Sequence, residues 1–305
     1  MACSARFGDD VEVLAALQFL PRLDVVLDGA SFQRRAAALP HRVTVFTTGL
    51  AARIKAGALV EWPPAPLIDP VIVSLPADDA FMTFDALQHL RAQAQFAVED
   101  TAAQAAFADK GLRPLIAHML LTLGGPANAA RAQRNGIMLA GLPPGVASIV
   151  PDALRVAAKR VSMGAKGVDS SLLMRLDQRQ AALWQLSHAS LVLTGSMDVV
   201  LVCAAAKTPV VLFAAEKDAH AYLVHDYSAL SRYVSVIHSD ADGGWTAAAT
   251  FLERLDVNAP RVLNQDSEDF ALLRIRLERL IARWPQLEDA ALISGVWQPR
   301  EGGAG

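Results

Sequence analysis

Short apolar runs alternate with longer amphipathic or small-residue segments along most of this chain. Each run is rich in Val, Ile and Leu, which is the pattern of a strand buried on both faces of a parallel sheet. Strands that alternate with helices predict an α/β fold with parallel sheets covered on both faces. The predicted strands are residues 23–27, 42–46, 71–75, 96–98, 137–140, 191–193, 210–213 and 234–237.

Helices are predicted in most of the intervening segments. Thr101 and Gln104 form a capping box that predicts a helix start at Thr101, and Gly111 is placed to end that helix. Residues 115–123 are apolar and fit either a strand or a buried helix. The tail at 267–284 has a continuous apolar face and predicts a long amphipathic helix. The other predicted helices are residues 11–20, 31–39, 50–56, 151–161, 177–187 and 245–255.

About eight strands are many for one compact unit, so two Rossmann-like halves are predicted. The polar stretch at 127–136 is the expected boundary. It gives an N-terminal domain at 1–130 and a C-terminal domain at 131–305, which ends with the amphipathic helix. One large doubly wound sheet is the alternative.

The segment 189–215 is the most informative part of the chain. Its first apolar run stops at the turn Thr194-Gly195-Ser196, and a second apolar run follows. Ligands of open α/β sheets bind outside the carboxyl ends of the strands, and this turn is expected at such an end. We therefore predict a ligand site there. The alternative is that Ser196 or Asp198 only caps the helix that follows.

Composition limits the class of protein. The chain has 305 residues, of which 53% are hydrophobic and 19% are charged. Charged residues and prolines interrupt its apolar stretches before they reach the ~18 residues of a membrane span. Its first residues lack the apolar core of a secretory signal, and Cys3 and Cys203 suggest neither a disulfide framework nor a zinc site. We therefore expect a reduced, cytoplasmic setting.

The charge balance gives no reason to expect a polyanionic partner. The net charge is −3, and the nearest basic cluster, Lys159 and Arg160 with Lys166, is small. Nucleic-acid binding is therefore not expected. The histidines lack a metal-ligand spacing, and the sequence has neither a Walker loop nor a GxGxxG fingerprint. Neither a metal nor a cofactor is predicted.

Two further polar groups are candidates for chemistry. Gly8, Asp9 and Asp10 precede the helix predicted at 11–20. Acids at such a position are usually caps or dipole partners, but one of them could serve as a general base. Lys217 follows a predicted strand and could reach an anionic ligand at its end; a solvated polar loop is the alternative.

These features resemble the polysaccharide pyruvyl transferase family. The segment SLVLTGSMDVVLVCAAAKTPVVLF at 190–213 is similar to a family segment with a strand, Arg-Leu-His, a helix of small apolar residues, Gly-Thr-Pro and a second strand. Lys217 falls where the family carries a Lys. RFGDD at 6–10 is similar to the family's Asn-x-Gly-Asp, and VEDT at 98–101 is similar to its Val-Arg-Asp-x-Ser/Thr.

The resemblance implies a GT-B-like architecture, with the acceptor side at 1–130 and the donor side at 131–305. It implies transfer of a pyruvyl or related group to a sugar hydroxyl of a cell-envelope polysaccharide, in exopolysaccharide biosynthesis. The donor would be phosphoenolpyruvate or a nucleotide sugar, and the acceptor a glycan or glycolipid. Asp9 or Asp198 would then be the catalytic base. The donor-binding residues would be Gly8, Thr194, Gly195, Ser196 and Lys217.

The chain departs from the family at residues that should grip an anion. Ser196 and Asp198 replace the family Arg and His, Glu99 replaces the Arg of Arg-Asp, and Lys207 replaces the Gly before Thr-Pro. Arg and His pair with phosphate and carboxylate, whereas Asp198 repels an anion. A non-catalytic binding protein on the same scaffold is therefore a second hypothesis. A nucleotide-sugar glycosyltransferase, similar to the heptosyltransferases, is a third.

Overall fold

The computed structural model describes residues 7–19, 43–47, 63, 68–93, 96–123, 134–164, 172–215 and 234–256. Eight α-helices and nine strands lie in this part of the chain, and every strand pair is parallel. The predicted α/β class with parallel sheets is confirmed. The strand predicted at 23–27 and the helices predicted at 31–39, 50–56 and 267–284 lie outside the described residues.

Contacts group the described residues into two compact units. The first is drawn from residues 9–122, and the second from residues 7–8 and 123–256. The boundary predicted between 130 and 131 falls in a stretch that the structure does not describe, so it stays a prediction.

The first unit contains two parallel strand pairs. They are β1 (Val43–Thr47) with β2 (Ile68–Ile72), and β3 (Ala97–Val98) with β4 (Leu115–Ile116). A bridge between Leu75 and Val98 links the chain after β2 to β3. The strands predicted at 42–46 and 96–98 are confirmed to within a residue. The strand predicted at 71–75 is shifted by three residues, because residues 68–70 pair with β1 and β2 ends at Ile72.

Helix α1 (Phe7–Leu17) begins before the predicted start at residue 11. Asp9 and Asp10 therefore lie within its first turn and do not precede it. Carboxylates are favourable there because they face the positive end of the helix dipole. Asp9 is half-buried and Asp10 is buried.

The described residues of the first unit hold two more helices, α2 (Phe84–Ala92) and α3 (Thr101–Ala108). Helix α3 starts at Thr101 as predicted, but the capping box is wrong. Its N-cap is Asp100, whose Oδ1 accepts a hydrogen bond from the Ala103 amide at 2.6 Å. Because Asp100 has extended backbone, it can cap, whereas Thr101 is already helical. Gly111 follows the helix with φ +77°, as a C-terminal glycine should.

The ambiguous segment 115–123 is neither a long strand nor an α-helix. After the two residues of β4 it turns into a 3-10 helix, Met119–Thr122. Ser74 explains the turn: its buried hydroxyl accepts from the Met119 amide at 3.1 Å and donates to the Ala117 carbonyl at 3.3 Å. Ser74 adopts φ +58°, so its backbone is strained where these bonds form. Such a partner, over forty residues away in sequence, has no local signal.

The second unit is built on a five-stranded parallel sheet. Its strands are β5 (Ile137–Ala140), β6 (Lys159–Val161), β7 (Leu191–Thr194), β8 (Val210–Ala214) and β9 (Val234–His238). Their order is β6-β5-β7-β8-β9. The chain therefore moves outward from β5 to the edge strand β6 and then crosses back to β7. This is the flavodoxin-like order of doubly wound sheets, and its switch point lies between β5 and β7.

In the part of the second unit that the structure describes, five helices accompany this sheet. They are α4 (Pro144–Ile149), α5 (Asp152–Ala157), α6 (Leu172–Ser187), α7 (Met197–Ala205) and α8 (Thr246–Arg254). The helix predicted at 151–161 is only half right, because it ends at Ala157 and residues 159–161 form β6. The exposed Lys159 and Arg160 lie on this edge strand, where charged side chains oppose pairing with another sheet.

Burial explains the composition of α7. Seven consecutive residues of this helix, Val199 to Ala205, are buried. A helix that is apolar on all sides belongs in the interior, and small or β-branched residues allow close packing there. The core of the second unit also joins Leu139, Leu193 and Phe213 from the sheet to Leu252 of α8. No helix in the described ranges is long and apolar enough to cross a membrane.

One residue of the polar stretch at 127–136, where the domain boundary is expected, packs against the end of α7. Arg134 donates to the carbonyl of Lys207 at 2.6 Å and to that of Ala206 at 3.0 Å. Cations are favourable at helix C-termini, where carbonyls lack partners within the helix. Lys207 itself has φ +55°, the left-handed conformation in which helices usually end on glycine.

Replacing Lys207 by glycine is expected to raise the free energy of unfolding by about 1 kcal/mol. The left-handed conformation costs a non-glycine residue roughly 1–2 kcal/mol, and the extra freedom of glycine in the unfolded chain offsets part of the gain. Lys207→Ala is the matched control, because it removes the same side chain and keeps the strain. Urea denaturation of both variants measures the difference. Equal free energies of unfolding would show that the left-handed conformation of residue 207 does not lower stability.

Candidate functional site

The carboxyl ends of β5 and β7 meet at the switch point of the five-stranded sheet. Ala140 and Thr194 are register partners at the last position of these strands. Gly141 and Gly195 follow them directly. Crevices at such a point are where open α/β sheets bind ligands, because the flanking helices diverge there. The turn Thr194-Gly195-Ser196 therefore lies where the sequence predicted a site.

Thr194 ties the two strand ends together. Its side chain is completely buried, and its hydroxyl donates to the Ala140 carbonyl at 2.7 Å. The same oxygen accepts a hydrogen bond from the Ser196 amide at 2.9 Å. The only proton of this hydroxyl is used within the protein and the side chain is buried, so Thr194 shapes the turn and does not present its hydroxyl to a ligand.

Gly195 is required by the close approach of the neighbouring turn. Its amide donates to the Gly141 carbonyl at 3.1 Å. A Cβ at residue 195 would lie 2.6 and 2.8 Å from two ring carbons of Pro143. Real Cβ atoms do not come so near, and a proline ring held in a turn has little room to yield.

Ser196 lies at the start of α7, beside the switch point. It occupies the N-cap position of α7 with extended backbone, at φ −109° and ψ 124°, but its hydroxyl makes no capping hydrogen bond. Its carbonyl accepts from the Val200 amide at 3.2 Å, as the first bond of the helix. Because its hydroxyl makes no capping bond, the capping alternative does not account for this side chain, which is half-buried.

Asp198 lies in the first turn of α7, with its carboxylate against the start of α1. A Cβ built on Gly8 would overlap the Asp198 carboxylate. Gly8 and Phe7 group with the second unit. The ring of Phe7 lies under the guanidinium of Arg179, with 5.4 Å from the guanidinium carbon to the ring centroid. The contact of Gly8 with Asp198 thus adds residues 7–8, at the very start of α1, to the switch point.

The structure brings most of the predicted donor-site residues together. We use the name switch-point site for Gly8, Gly141, Thr194, Gly195, Ser196 and Asp198. Asp9, the other candidate base, lies in the first turn of α1 and groups with the first unit. Lys217 lies outside the described residues. The chemical roles of these residues stay predictions.

The backbone amides of the turn are less available than the sequence suggests. Gly195 N–H is bonded to Gly141, and Ser196 N–H is bonded to Thr194. A donor phosphate could use these amides only if it displaced both bonds. The side chains that the sequence brings to this turn are therefore the hydroxyl of Ser196 and the carboxylate of Asp198. This pair suits hydrogen bonding to hydroxyl groups better than neutralising an anion.

Two other kinds of chemistry, a cysteine nucleophile and a metal site, are considered for the described residues. Burial raises the pKa of the Cys203 thiol far above its usual range, although the charge of Arg134 lowers it in part. The thiol therefore stays protonated and is a poor nucleophile. Among the residues that the structure describes, no group of three or more His, Cys, Asp or Glu could hold a metal ion.

Sequence reasoning misses three residues around the site. Pro143 belongs to the sequence Gly-Leu-Pro-Pro-Gly at 141–145, which signals a turn but not its contact with Gly195. Phe7 and Arg179 form their contact across a long separation in the chain. The available signal is Arg179 itself, an arginine that falls among the apolar positions of a helix and is 1% exposed.

Comparison with models of known protein families and with curated proteins finds no match for this chain. The likeness to the polysaccharide pyruvyl transferases therefore rests on the segments at 6–10, 98–101 and 190–213. The order of those segments and the geometry of the switch-point site are the basis for a functional proposal.

Proposed function

We propose that this protein is a divergent relative of the polysaccharide pyruvyl transferases, with two Rossmann-like domains in a GT-B-like arrangement. In this proposal it transfers a pyruvyl or related group to a sugar hydroxyl of a cell-envelope glycan or glycolipid. The donor is phosphoenolpyruvate or a nucleotide sugar. Asp198 or Asp9 acts as the base, and Ser196 contacts the donor with Lys217.

One observation supports this proposal most directly. The segment that resembles the family, residues 190–213, forms β7, α7 and β8, and its turn lies at the switch point of a doubly wound sheet. Ligands of such sheets bind at this place for a topological reason that does not depend on sequence. The hydroxyl of Ser196 makes no capping hydrogen bond, and the residue is half-buried there.

A second candidate function is favoured by the contacts of the turn. The amides of Gly195 and Ser196 bond within the protein, and Asp198 places a carboxylate where the family carries a histidine. A carboxylate near a phosphate raises the free energy of the complex. A non-catalytic protein that binds a glycan on the same scaffold requires no anionic donor.

Isothermal titration calorimetry on the full chain separates the two candidates. Phosphoenolpyruvate and a panel of nucleotide sugars are titrated singly, and saturable heat with one of them is expected. In that case, Ser196→Ala should weaken the Kd by about fivefold, the factor expected for one lost hydrogen bond. Ser148→Ala is the matched control, since the Ser148 hydroxyl is exposed and bonds within α4.

The possible results have different meanings. Donor binding that Ser196→Ala weakens and Ser148→Ala does not supports the transferase. Heat from no donor removes the transferase proposal and leaves the glycan-binding candidate. Equal effects of the two variants would show that the donor binds elsewhere.

A further inference from the structure

Arg179 is the largest fully buried side chain in the described part of the protein, at 1% exposure. Burying a guanidinium is costly unless other groups compensate its charge. Part of this compensation is the face of Phe7, since a ring centroid 5.4 Å away is within the range of a cation–π interaction. Phe7 is itself buried, at 5% exposure, so the contact is shielded from solvent. Desolvation strengthens such a contact.

The contact of Phe7 determines the position of the next residue. Phe7 and Gly8 are the first two residues of α1, and a helical turn moves as one body because its dihedral angles are set together. Gly8 in turn lies against the carboxylate of Asp198, with no room for a Cβ between them. The ring of Phe7 thus limits where Gly8 can be, and Gly8 limits where the Asp198 carboxylate can be.

We propose that Arg179 positions the carboxylate of Asp198 at the switch-point site, acting through Phe7 and Gly8. The guanidinium holds the ring of Phe7, the ring fixes the neighbouring Gly8, and the carboxylate of Asp198 rests against Gly8. Arg179 is a positioning residue and is not a catalytic one, because its side chain is buried at 1% exposure. That Asp198 acts as a base rests on the proposed function. The coupling between Arg179 and the position of the Asp198 carboxylate does not.

Carboxyl footprinting tests the coupling without any donor. In the full chain, carboxylates are activated with a water-soluble carbodiimide, coupled to glycine ethyl ester and quantified by mass spectrometry. Arg179→Met should increase the labelling rate of Asp198 by at least about threefold, the shift expected from the loss of a cation–π contact. Asp152, whose side chain is 97% exposed, is the internal reference and should not change.

Matched variants separate coupling from general loosening. Arg175→Met makes the same change one turn earlier on α6, at another buried arginine, and should leave Asp198 labelling unchanged. Phe7→Leu should reproduce the increase, whereas Phe7→Tyr keeps an aromatic face and should not. If Arg179→Met does not fold, the two Phe7 variants still test whether the Arg179–Phe7 contact controls the labelling of Asp198.

The proposal is overturned if Phe7→Leu and Arg179→Met leave the labelling of Asp198 unchanged. It is also overturned if Arg175→Met or Phe7→Tyr raises that labelling equally. An increase confined to Arg179→Met and Phe7→Leu supports it even where calorimetry detects no donor. In that case only the transferase proposal fails.

Discussion

Replacing Gly195 by alanine is expected to lower the free energy of unfolding by about 3 kcal/mol, near the upper end of the usual cost of overpacking. The new methyl group would meet the ring of Pro143 at 2.6 Å and the Gly141 carbonyl at 3.1 Å. A proline ring and a backbone carbonyl cannot rotate away as a long side chain could. Relief requires the turns after β5 and β7 to separate, which breaks the Gly195–Gly141 hydrogen bond.

Gly164→Ala is the matched control for this variant. Gly164 is an exposed glycine of the same unit, no heavy atom would lie within 4 Å of its Cβ, and its φ is not left-handed. It should change stability by less than about 1 kcal/mol, with a slight gain from reduced freedom of the unfolded chain. Urea denaturation gives both values. A loss for Gly195→Ala no larger than that for Gly164→Ala would contradict the close approach of the turns.

Replacing Thr194 by valine is expected to cost about 3 kcal/mol as well. Valine has nearly the same shape but no hydroxyl, so the bonds to the Ala140 carbonyl and from the Ser196 amide are both lost. Each net hydrogen bond contributes roughly 1 kcal/mol, and a buried polar group left without a partner costs a further 1–3 kcal/mol. The turn before α7 should therefore loosen, and with it the position of Ser196.

Thr194→Ser is the control, because it keeps the hydroxyl and loses only a methyl group, worth about 1 kcal/mol. Denaturation measures stability, and hydrogen exchange of the Ser196 amide reports the bond to residue 194 directly. The expected pattern is faster exchange in Thr194→Val than in Thr194→Ser. Similar exchange in the two variants would show that the hydroxyl does not organise the turn.

The reliable sequence predictions concern elements with a strong local signal. The strands at 137–140, 191–193 and 210–213 agree with β5, β7 and β8 to within a residue, since continuous apolar runs between turn residues mark strands buried on both faces. Helix α7 follows the turn as the capping alternative assumed, although the β-branched valines of this segment disfavour a helix.

The wrong predictions concern residues whose structure depends on a contact or a backbone conformation that the local sequence pattern does not show. Asp100 and not Thr101 caps α3, because the choice depends on which residue has extended backbone. Residues 159–161 were predicted as the end of a helix but form β6. They pair with β5, and this pairing is possible only when the sheet has formed. Ser74 is held in a strained conformation by partners beyond residue 115.

The sequence by itself determined the α/β class with parallel strands and the place of the turn Thr194-Gly195-Ser196 after a buried strand. Apolar periodicity and turn residues act within a few positions, so they can be read along the chain. The tertiary structure decided the order β6-β5-β7-β8-β9, which makes that turn a switch point. It also decided that Gly8 lies against Asp198 beside this turn, because a contact between segments so far apart in the chain forms only when they pack together.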